Sequence, residues 1–134
     1  MRKNFEHTAD IGIEVETSNI SSAFEEAALG FSELITGGNL PKELISNDVS
    51  IESDNLDSLL VHFISYLVVL FDTDLFISGF ANIEISKGEI FLLKGILKGD
   101  IYDQSKHGYG VEIKAVSYHQ LLVEEGPPSR LRVI

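Results

Sequence analysis

Two stretches of the sequence place their apolar residues three and four positions apart, and this spacing restricts the chain more than any other feature. Such a repeat forms one apolar stripe along an α-helix, so each stretch predicts an amphipathic helix that must be covered on one side. The first stripe comprises Phe24, Ala27, Ala28, Phe31, Leu34 and Ile35, and the second comprises Leu56, Leu59, Leu60, Phe63, Leu67 and Leu70.

Residues typical of helix ends lie on either side of both stripes. Ser22 and Glu25 fit a capping box, in which each side chain accepts a hydrogen bond from a backbone N–H of the first turn. The pair Gly37-Gly38 predicts the end of the first helix, because glycine adopts the left-handed conformation of a helix terminus easily. The second helix is predicted to begin near Asp54-Asn55.

Most other apolar residues alternate with polar ones, which is the pattern of a half-buried strand. Strands are predicted at Ile11 to Val15, near Val49 and Ile51, at Ile83 to Ile85 joined through Lys87-Gly88 to Ile90 to Leu97 as a hairpin, at Val111 to Val123, and at Leu131 to Ile134. We therefore predict a single α+β domain over residues 1–134. Its two layers are two amphipathic helices and a mainly antiparallel or mixed β-sheet.

Cysteine is absent from the 134 residues, which excludes disulfides, thiolate metal ligands and cysteine nucleophiles. The longest uninterrupted apolar run, Leu67 to Phe71, has five residues, whereas roughly 20 are needed to span a bilayer. The first residues contain no apolar segment of the kind that a signal peptide needs. We expect a cytoplasmic protein with no membrane partner.

The charge of the chain is strongly negative and unevenly distributed. The formal net charge is −11, and residues 21–80 carry ten acidic residues against one basic residue, Lys42. Negative charge repels phosphate backbones, so we expect no direct binding of nucleic acid. The acidic middle suits a metal ion or a basic protein partner, and solubility alone is the other explanation.

Three segments hold residues that could carry chemistry. His7-Thr8-Ala9-Asp10 could present an imidazole and a carboxylate to a metal or to a proton-transfer site, although Thr and Asp are also ordinary turn residues. The polar segment Gly99–Gly108 contains Lys106 and His107 and is otherwise an ordinary connection between strands. Lys114 follows, in the last long predicted strand, where pairing with Glu112 is the simplest role.

The sequence contains no glycine-rich phosphate loop, His-Glu-x-x-His, Gly-x-Ser-x-Gly or EF-hand pattern. Its four histidines show no spacing characteristic of a zinc site. By these criteria the residues do not indicate an enzyme, and no catalytic residue is predicted.

Taken in order, several segments of the chain resemble the archease family. They are Phe5 to Ile11 (FEHTADI), Ala23 to Ala28 (AFEEAA), Leu59-Leu60 through Leu70-Phe71, Gly99-Asp100 with Ser105 to His107, and Glu112 to His119 (EIKAVSYH). Each segment alone is a weak signal, but their order and spacing cover nearly the whole chain.

The resemblance implies a non-enzymatic accessory protein of tRNA processing. Archeases accelerate the guanylylation of RtcB-type, GTP- and metal-dependent RNA-splicing ligases and so help them turn over repeatedly. A chaperone role for a tRNA cytosine methyltransferase is the alternative that the family offers. A small metal-dependent hydrolase using His7, Asp10 and His107 is a further alternative from a different class.

The resemblance also implies a divalent metal ion, for which Asp10 matches the first ligand. Carboxylates suit calcium, magnesium or manganese. Relatives usually carry an aspartate one residue from the end, whereas this chain ends in Arg132-Val133-Ile134. A truncated chain, a weakened site, or the terminal carboxylate of Ile134 acting as the second ligand would each account for the difference. The residues predicted to contact the partner are His7, Lys106, His107 and Lys114.

Overall fold

The computed structural model describes residues 2–6, 11–113 and 121–133. Strands and helices follow one another as β1 (Arg2–Glu6), β2 (Ile11–Thr17), α1 (Ile20–Thr36), β3 (Ile45–Ser53), α2 (Leu56–Asp74), β4 (Phe76–Lys87), β5 (Phe91–Ile101), α3 (Gln104–His107), β6 (Leu122–Glu124) and β7 (Ser129–Val133).

The strands form two antiparallel sheets, where the sequence predicted one. The first sheet has the order β1-β2-β7-β6 and the second has the order β3-β5-β4. Every described pairing within them is antiparallel. The predicted α+β class is confirmed, and so is the β4–β5 hairpin with its turn after Lys87.

Helix α1 lies between the two sheets and covers the edge of β4. Three of its side chains accept hydrogen bonds from backbone N–H groups of β4 that point away from β5. Ser32 Oγ accepts the Ser78 N–H at 2.9 Å and Glu25 Oε2 accepts the Ile83 N–H at 2.7 Å. Ser21 Oγ accepts the Ile85 N–H at 3.1 Å. An edge strand with free N–H groups is open to unwanted pairing. These three bonds close that edge and attach α1 to the second sheet.

The predicted capping box is wrong. The residue that caps α1 is Asn19, whose side chain accepts the Ser22 N–H at 2.8 Å. Asparagine is among the best N-cap residues, and Glu25 is already engaged at the edge of β4. Helix α2 begins in the same way, with Asn55 accepting the Ser58 N–H at 2.8 Å.

Both predicted apolar stripes pack into one core between the helices and the sheets. Its most enclosed large side chains are Phe24, Leu59, Leu60, Phe63, Ile77, Leu93, Leu97 and Leu131. By length and composition alone α2 could cross a membrane, with a mean hydropathy of 1.5. In the structure its stripe instead forms part of this core.

Two predicted segments have different boundaries in the structure. Gly99 to Ile101, expected in a loop, end β5, and Gln104–His107 form a helical turn. The long strand expected at 111–123 is not continuous, because residues 111–113 belong to no strand and β6 starts at Leu122. Residues 114–120 lie outside the described part of the chain.

Candidate functional site

A buried carboxylate at the end of β5 is the centre of a small polar cluster. Asp100 is 7% exposed. Its Oδ1 accepts the Ile101 N–H at 2.8 Å, and its Oδ2 accepts a hydrogen bond from Lys106 Nζ at 2.7 Å. These bonds, the one from Lys106 foremost, lower the pKa of Asp100 below its ordinary value. The carboxylate is therefore charged at neutral pH, and it holds the lysine over the end of the strand.

The turn α3 brings Lys106 and His107 back toward Asp100. Asp103 caps this turn, because its carboxylate accepts hydrogen bonds from the N–H of Ser105 at 3.0 Å and the hydroxyl of Ser105 at 2.8 Å. These bonds lower the pKa of Asp103. Asp103 thus acts as a local turn residue, the role that its residue type most often has.

His107 is 6% exposed, and its two ring nitrogens face the Asp103 backbone and the Asp100 carboxylate. Nδ1 accepts the Asp103 N–H at 3.0 Å, which places the hydrogen of the neutral ring on Nε2, 3.5 Å from Asp100 Oδ2. The ring also stacks on Tyr102, with centroids 6.1 Å apart. This environment gives His107 a positioning role, whereas the Lys106 side chain is 52% exposed and reaches the surface.

The segment 102–111, which we call the 102–111 loop, is fixed to the C-terminal end of α1. Asn39 Nδ2 donates to the His107 carbonyl at 2.9 Å. The N–H groups of Gly110 and Val111 donate to two carbonyls in the last turn of α1, those of Ile35 and Leu34, each at 2.8 Å. Helix termini leave such carbonyls without partners, so the loop completes the end of α1.

The same loop contacts the C-terminal end of α2. The Tyr102 ring lies 5.6 Å from that of Phe71, and the Tyr102 N–H donates to the Leu75 carbonyl at 2.7 Å. The Tyr102 hydroxyl donates to the Gly108 carbonyl at 2.7 Å. One aromatic residue therefore connects the loop to α2 and holds the loop closed.

The strand ends nearest Asp10 and Ile134 belong to the same end of the molecule. β2 starts at Ile11 and β7 ends at Val133, and Ile13 pairs with Val133. α1 runs back along β2, with Gly30 against Ile13, and continues roughly 10 Å farther to Gly37. We call this region the loop end: the start of β2, the end of β7, the C-terminal ends of α1 and α2, and the 102–111 loop.

The predicted site residues fall into two groups. Lys106 and His107 meet at Asp100, as described above. His7, Asp10, Lys114 and Ile134 lie outside the described residues, so their assignments stay predictions. Within residues 2–6, 11–113 and 121–133, no three His, Asp or Glu side chains form a group that could hold a metal ion.

Sequence reasoning identified the polar segment around Lys106 but missed its supports, Asn39, Phe71 and Tyr102. Asn39 follows the two glycines that end α1, where an asparagine is expected simply as a turn residue. Phe71 belongs to the apolar stretch of α2, and nothing in its spacing distinguishes it from core residues. The only available signal was the position of an aromatic residue, Tyr102, within an otherwise polar loop.

Comparison with known proteins gives consistent relatives along almost the full chain. The family model described as Archease protein family (MTH1598/TM1083) matches residues 3–134. The proteins named protein archease from Thermococcus gammatolerans and Pyrococcus furiosus are 33% and 32% identical over 129 residues, which is 96% of this chain and 91% of each of theirs.

A solved structure agrees with the fold as well. The solution structure of Methanobacterium thermoautotrophicum protein 1598 matches with a TM-score of 0.77 and 27% identity, over 98% of this chain and 95% of that one. The family match, the identities above 30% and this structural agreement each cover almost the whole chain, and they confirm the resemblance found in the sequence. The chain belongs to the archease family.

Proposed function

We propose that this protein is an accessory factor of tRNA processing that activates the guanylylation and the repeated turnover of an RtcB-type, GTP-dependent RNA-splicing ligase. The observation that carries the proposal is the archease match over residues 3–134. An accessory role also agrees with the sequence, which contains no recognisable catalytic motif.

The charge distribution supports a protein partner of this kind. An enzyme that joins RNA ends needs basic surface to hold the phosphate backbone. This chain carries a net charge of −11, so it is attracted to such an enzyme and does not compete for its RNA. Opposite charge on two partners speeds their encounter and selects the correct one.

A divalent cation at Asp10 is the second part of the proposal. Asp10 and the terminal carboxylate of Ile134 would hold it, because oxygen ligands suit calcium, magnesium and manganese. The pairing of Ile13 with Val133 supports this choice, since it brings together β2, which follows Asp10 in the sequence, and β7, which precedes Ile134. Bound there, the ion would neutralise charge on phosphate groups.

The polar cluster at Asp100 supplies the contact with the ligase. Lys106 is exposed, and its ammonium group is held by Asp100 at 2.7 Å, which fixes its position without removing its charge. His107, buried beneath it, keeps the 102–111 loop in shape. His7 and Lys114 are the remaining residues proposed to contact the ligase.

The test is guanylylation of the cognate ligase at limiting GTP and manganese, with and without this protein. We expect wild type to accelerate the reaction and Asp10→Ala to lose most of the acceleration. Asp54→Ala removes the same charge from an exposed residue beside the start of α2 and is the matched control. Titration calorimetry with manganese alone should show weaker binding to Asp10→Ala, and also to a chain with one glycine added after Ile134.

Each part of the proposal has its own contrary result. No acceleration by wild type would reject ligase activation. The chaperone role for a tRNA methyltransferase would then be the function to test. Full acceleration by Asp10→Ala would leave an activator that needs no metal at that residue. Unchanged manganese affinity after the glycine is added would remove Ile134 from the site.

A further inference from the structure

The C-terminal end of α2 exposes an apolar and acidic surface that the described part of the chain does not cover. Val69, five residues before the last residue of α2, is 58% exposed, and Leu75, which directly follows the helix, is 45% exposed. Asp72 lies between them in sequence, three positions from each, and Val69 and Asp72 are neighbours on the helix surface. We call Val69, Asp72, Asp74 and Leu75 the α2 terminal patch.

The backbone at Leu75 is unusual for a leucine. Its φ is 58°, in the left-handed region, and it is the one non-glycine residue with positive φ in the described part of the chain. A bulky side chain is disfavoured there, and glycine or asparagine normally takes this position. The exposed leucine therefore makes folding less favourable and fills no part of the core.

The acidic residues of the patch also stand where the helix disfavours them. The C-terminal end of a helix carries partial negative charge and favours basic residues. Helix α2 ends with Asp72 and Asp74 and has no basic residue in its last turn. Among the described residues, neither aspartate forms an ion pair.

The patch borders the candidate site directly. Leu75 accepts the Tyr102 N–H through its carbonyl, and Tyr102 stacks on His107. Ile101, a further exposed apolar residue at 42%, pairs with Phe76, the residue after Leu75, and immediately precedes the 102–111 loop. A partner that contacts Lys106 at the loop end is therefore close to the patch as well.

We infer that the α2 terminal patch docks a basic protein surface, and that the partner is the ligase of the proposed function, on which this inference rests. Val69 and Leu75 would pack against apolar side chains of the ligase, with Asp72 and Asp74 facing its Lys and Arg residues. Charge complementarity selects this occupant. A second copy of the chain would place the same aspartates against each other, which like charges oppose.

The sharpest test separates folding from docking. Asp72→Lys with Asp74→Lys places favourable charge at the end of α2, so the variant should melt at a temperature at least as high as wild type. The same variant should bind the ligase about tenfold or more weakly and raise the concentration needed for half-maximal guanylylation similarly. Val69→Ser should weaken binding to a smaller extent, with no change of net charge.

The control is Asp54→Lys with Glu89→Lys, which changes the net charge by the same amount. Both residues are exposed, one beside the start of α2 and the other in the turn after β4, far from the loop end. Its binding should stay within about twofold of wild type. An equal loss in both double variants would overturn the patch in favour of general charge attraction.

Three other results would also overturn the inference. The first is normal binding and activation by the patch variant while wild type activates. The second is a wild-type dimer in sedimentation that the patch variant loses. The third is failure of wild type to bind or activate the ligase, which rejects the proposed function itself and with it this partner. Wild type is measured beside every variant, so these results can be distinguished.

Discussion

The two long helices end in the same backbone conformation, but different residues adopt it. Gly37 follows α1 with a φ of 84°, and Leu75 follows α2 with a φ of 58°. In each case the N–H of this residue donates to the carbonyl four positions earlier, Glu33 for α1 at 2.9 Å and Phe71 for α2 at 2.8 Å. This bond is the same at both ends, and at α1 the Gly38 N–H also donates to the Glu33 carbonyl at 2.9 Å. The choice between glycine and leucine at the left-handed position therefore depends on the surroundings.

The surroundings of the two ends are opposite. At Gly37 the 102–111 loop approaches so closely that a Cβ atom would lie 2.5 Å from the Tyr109 carbonyl oxygen. At Leu75 the side chain is open to solvent. Glycine is therefore needed at the end of α1 both for its backbone conformation and for its small size. At α2 the conformation alone favours glycine, so the leucine is explained by what it presents outside the chain.

The largest expected loss of stability comes from Gly37→Leu, at the C-terminal end of α1, where the 102–111 loop packs closely. A side chain there must adopt left-handed backbone, which costs roughly 1–2 kcal/mol, and must also displace the Tyr109 backbone, since overpacking costs roughly 1–3 kcal/mol. We expect the free energy of unfolding in urea to fall by about 2–5 kcal/mol.

Gly38→Leu is the matched control for this change. Gly38 also has positive φ, at 123°, but nothing lies within 4 Å of the position that its Cβ would occupy. It should therefore lose only the conformational part of the free energy. If both variants lost the same amount, the approach of Tyr109 would contribute nothing and the comparison between the helix ends would fail.

The converse change, Leu75→Gly, should have a smaller effect of opposite sign. Removing a leucine from left-handed backbone stabilises the folded state by roughly 1–2 kcal/mol. The greater conformational freedom of glycine in the unfolded chain lowers the free energy of unfolding by roughly 0.5–1 kcal/mol. We expect the free energy of unfolding to rise by up to about 1.5 kcal/mol. A clear decrease would mean that Leu75 packs usefully within the chain and is not retained for a partner.

The parts of the fold that depend on local periodicity could be predicted from the sequence. Both helices, the glycine end of α1 and the β4–β5 hairpin follow from spacing and from residues that end helices. The start of α1 could not be assigned from a motif. Glu25 fits a capping box, but the fold uses it to close the β4 edge at Ile83, far along the chain.

The candidate site was only partly predictable for the same reason. Lys106 and His107 stood out as polar residues in a loop, and their common partner Asp100 lies nearby in sequence. The ring contact between Tyr102 and Phe71 and the hydrogen bond from Asn39 to the His107 carbonyl join segments that are distant in sequence. Local sequence patterns therefore cannot predict them. The split into two sheets likewise depends on which strands pair, and single-strand patterns do not determine that.

The smallest expected effect is a loss of stability on replacing Lys106 in the 102–111 loop. This loss should depend on pH. Lys106→Met removes the bond that contributes most to lowering the pKa of Asp100. A carboxyl whose pKa is lower in the folded state stabilises the protein above its unfolded value of about 3.9 and loses this contribution as pH falls. We therefore expect Lys106→Met to be less stable than wild type at pH 6, by an amount that shrinks toward pH 3.

Urea unfolding at several pH values between 3 and 6 measures this difference, with Lys94→Met as the control. Lys94 is exposed and forms no ion pair among the described residues, so its replacement should give no such dependence. Asp103 keeps its bonds to Ser105, the main cause of its lowered pKa, in every variant, and the smaller effect of the Lys106 charge on it has the same sign as the effect on Asp100. A Lys106→Met difference that stays constant down to pH 3 would show that the lysine acts by packing its methylene groups. The 102–111 loop would then be held at the two helix ends by Tyr102, by Asn39 and by the backbone bonds of Gly110 and Val111, with no contribution from the Lys106–Asp100 ion pair.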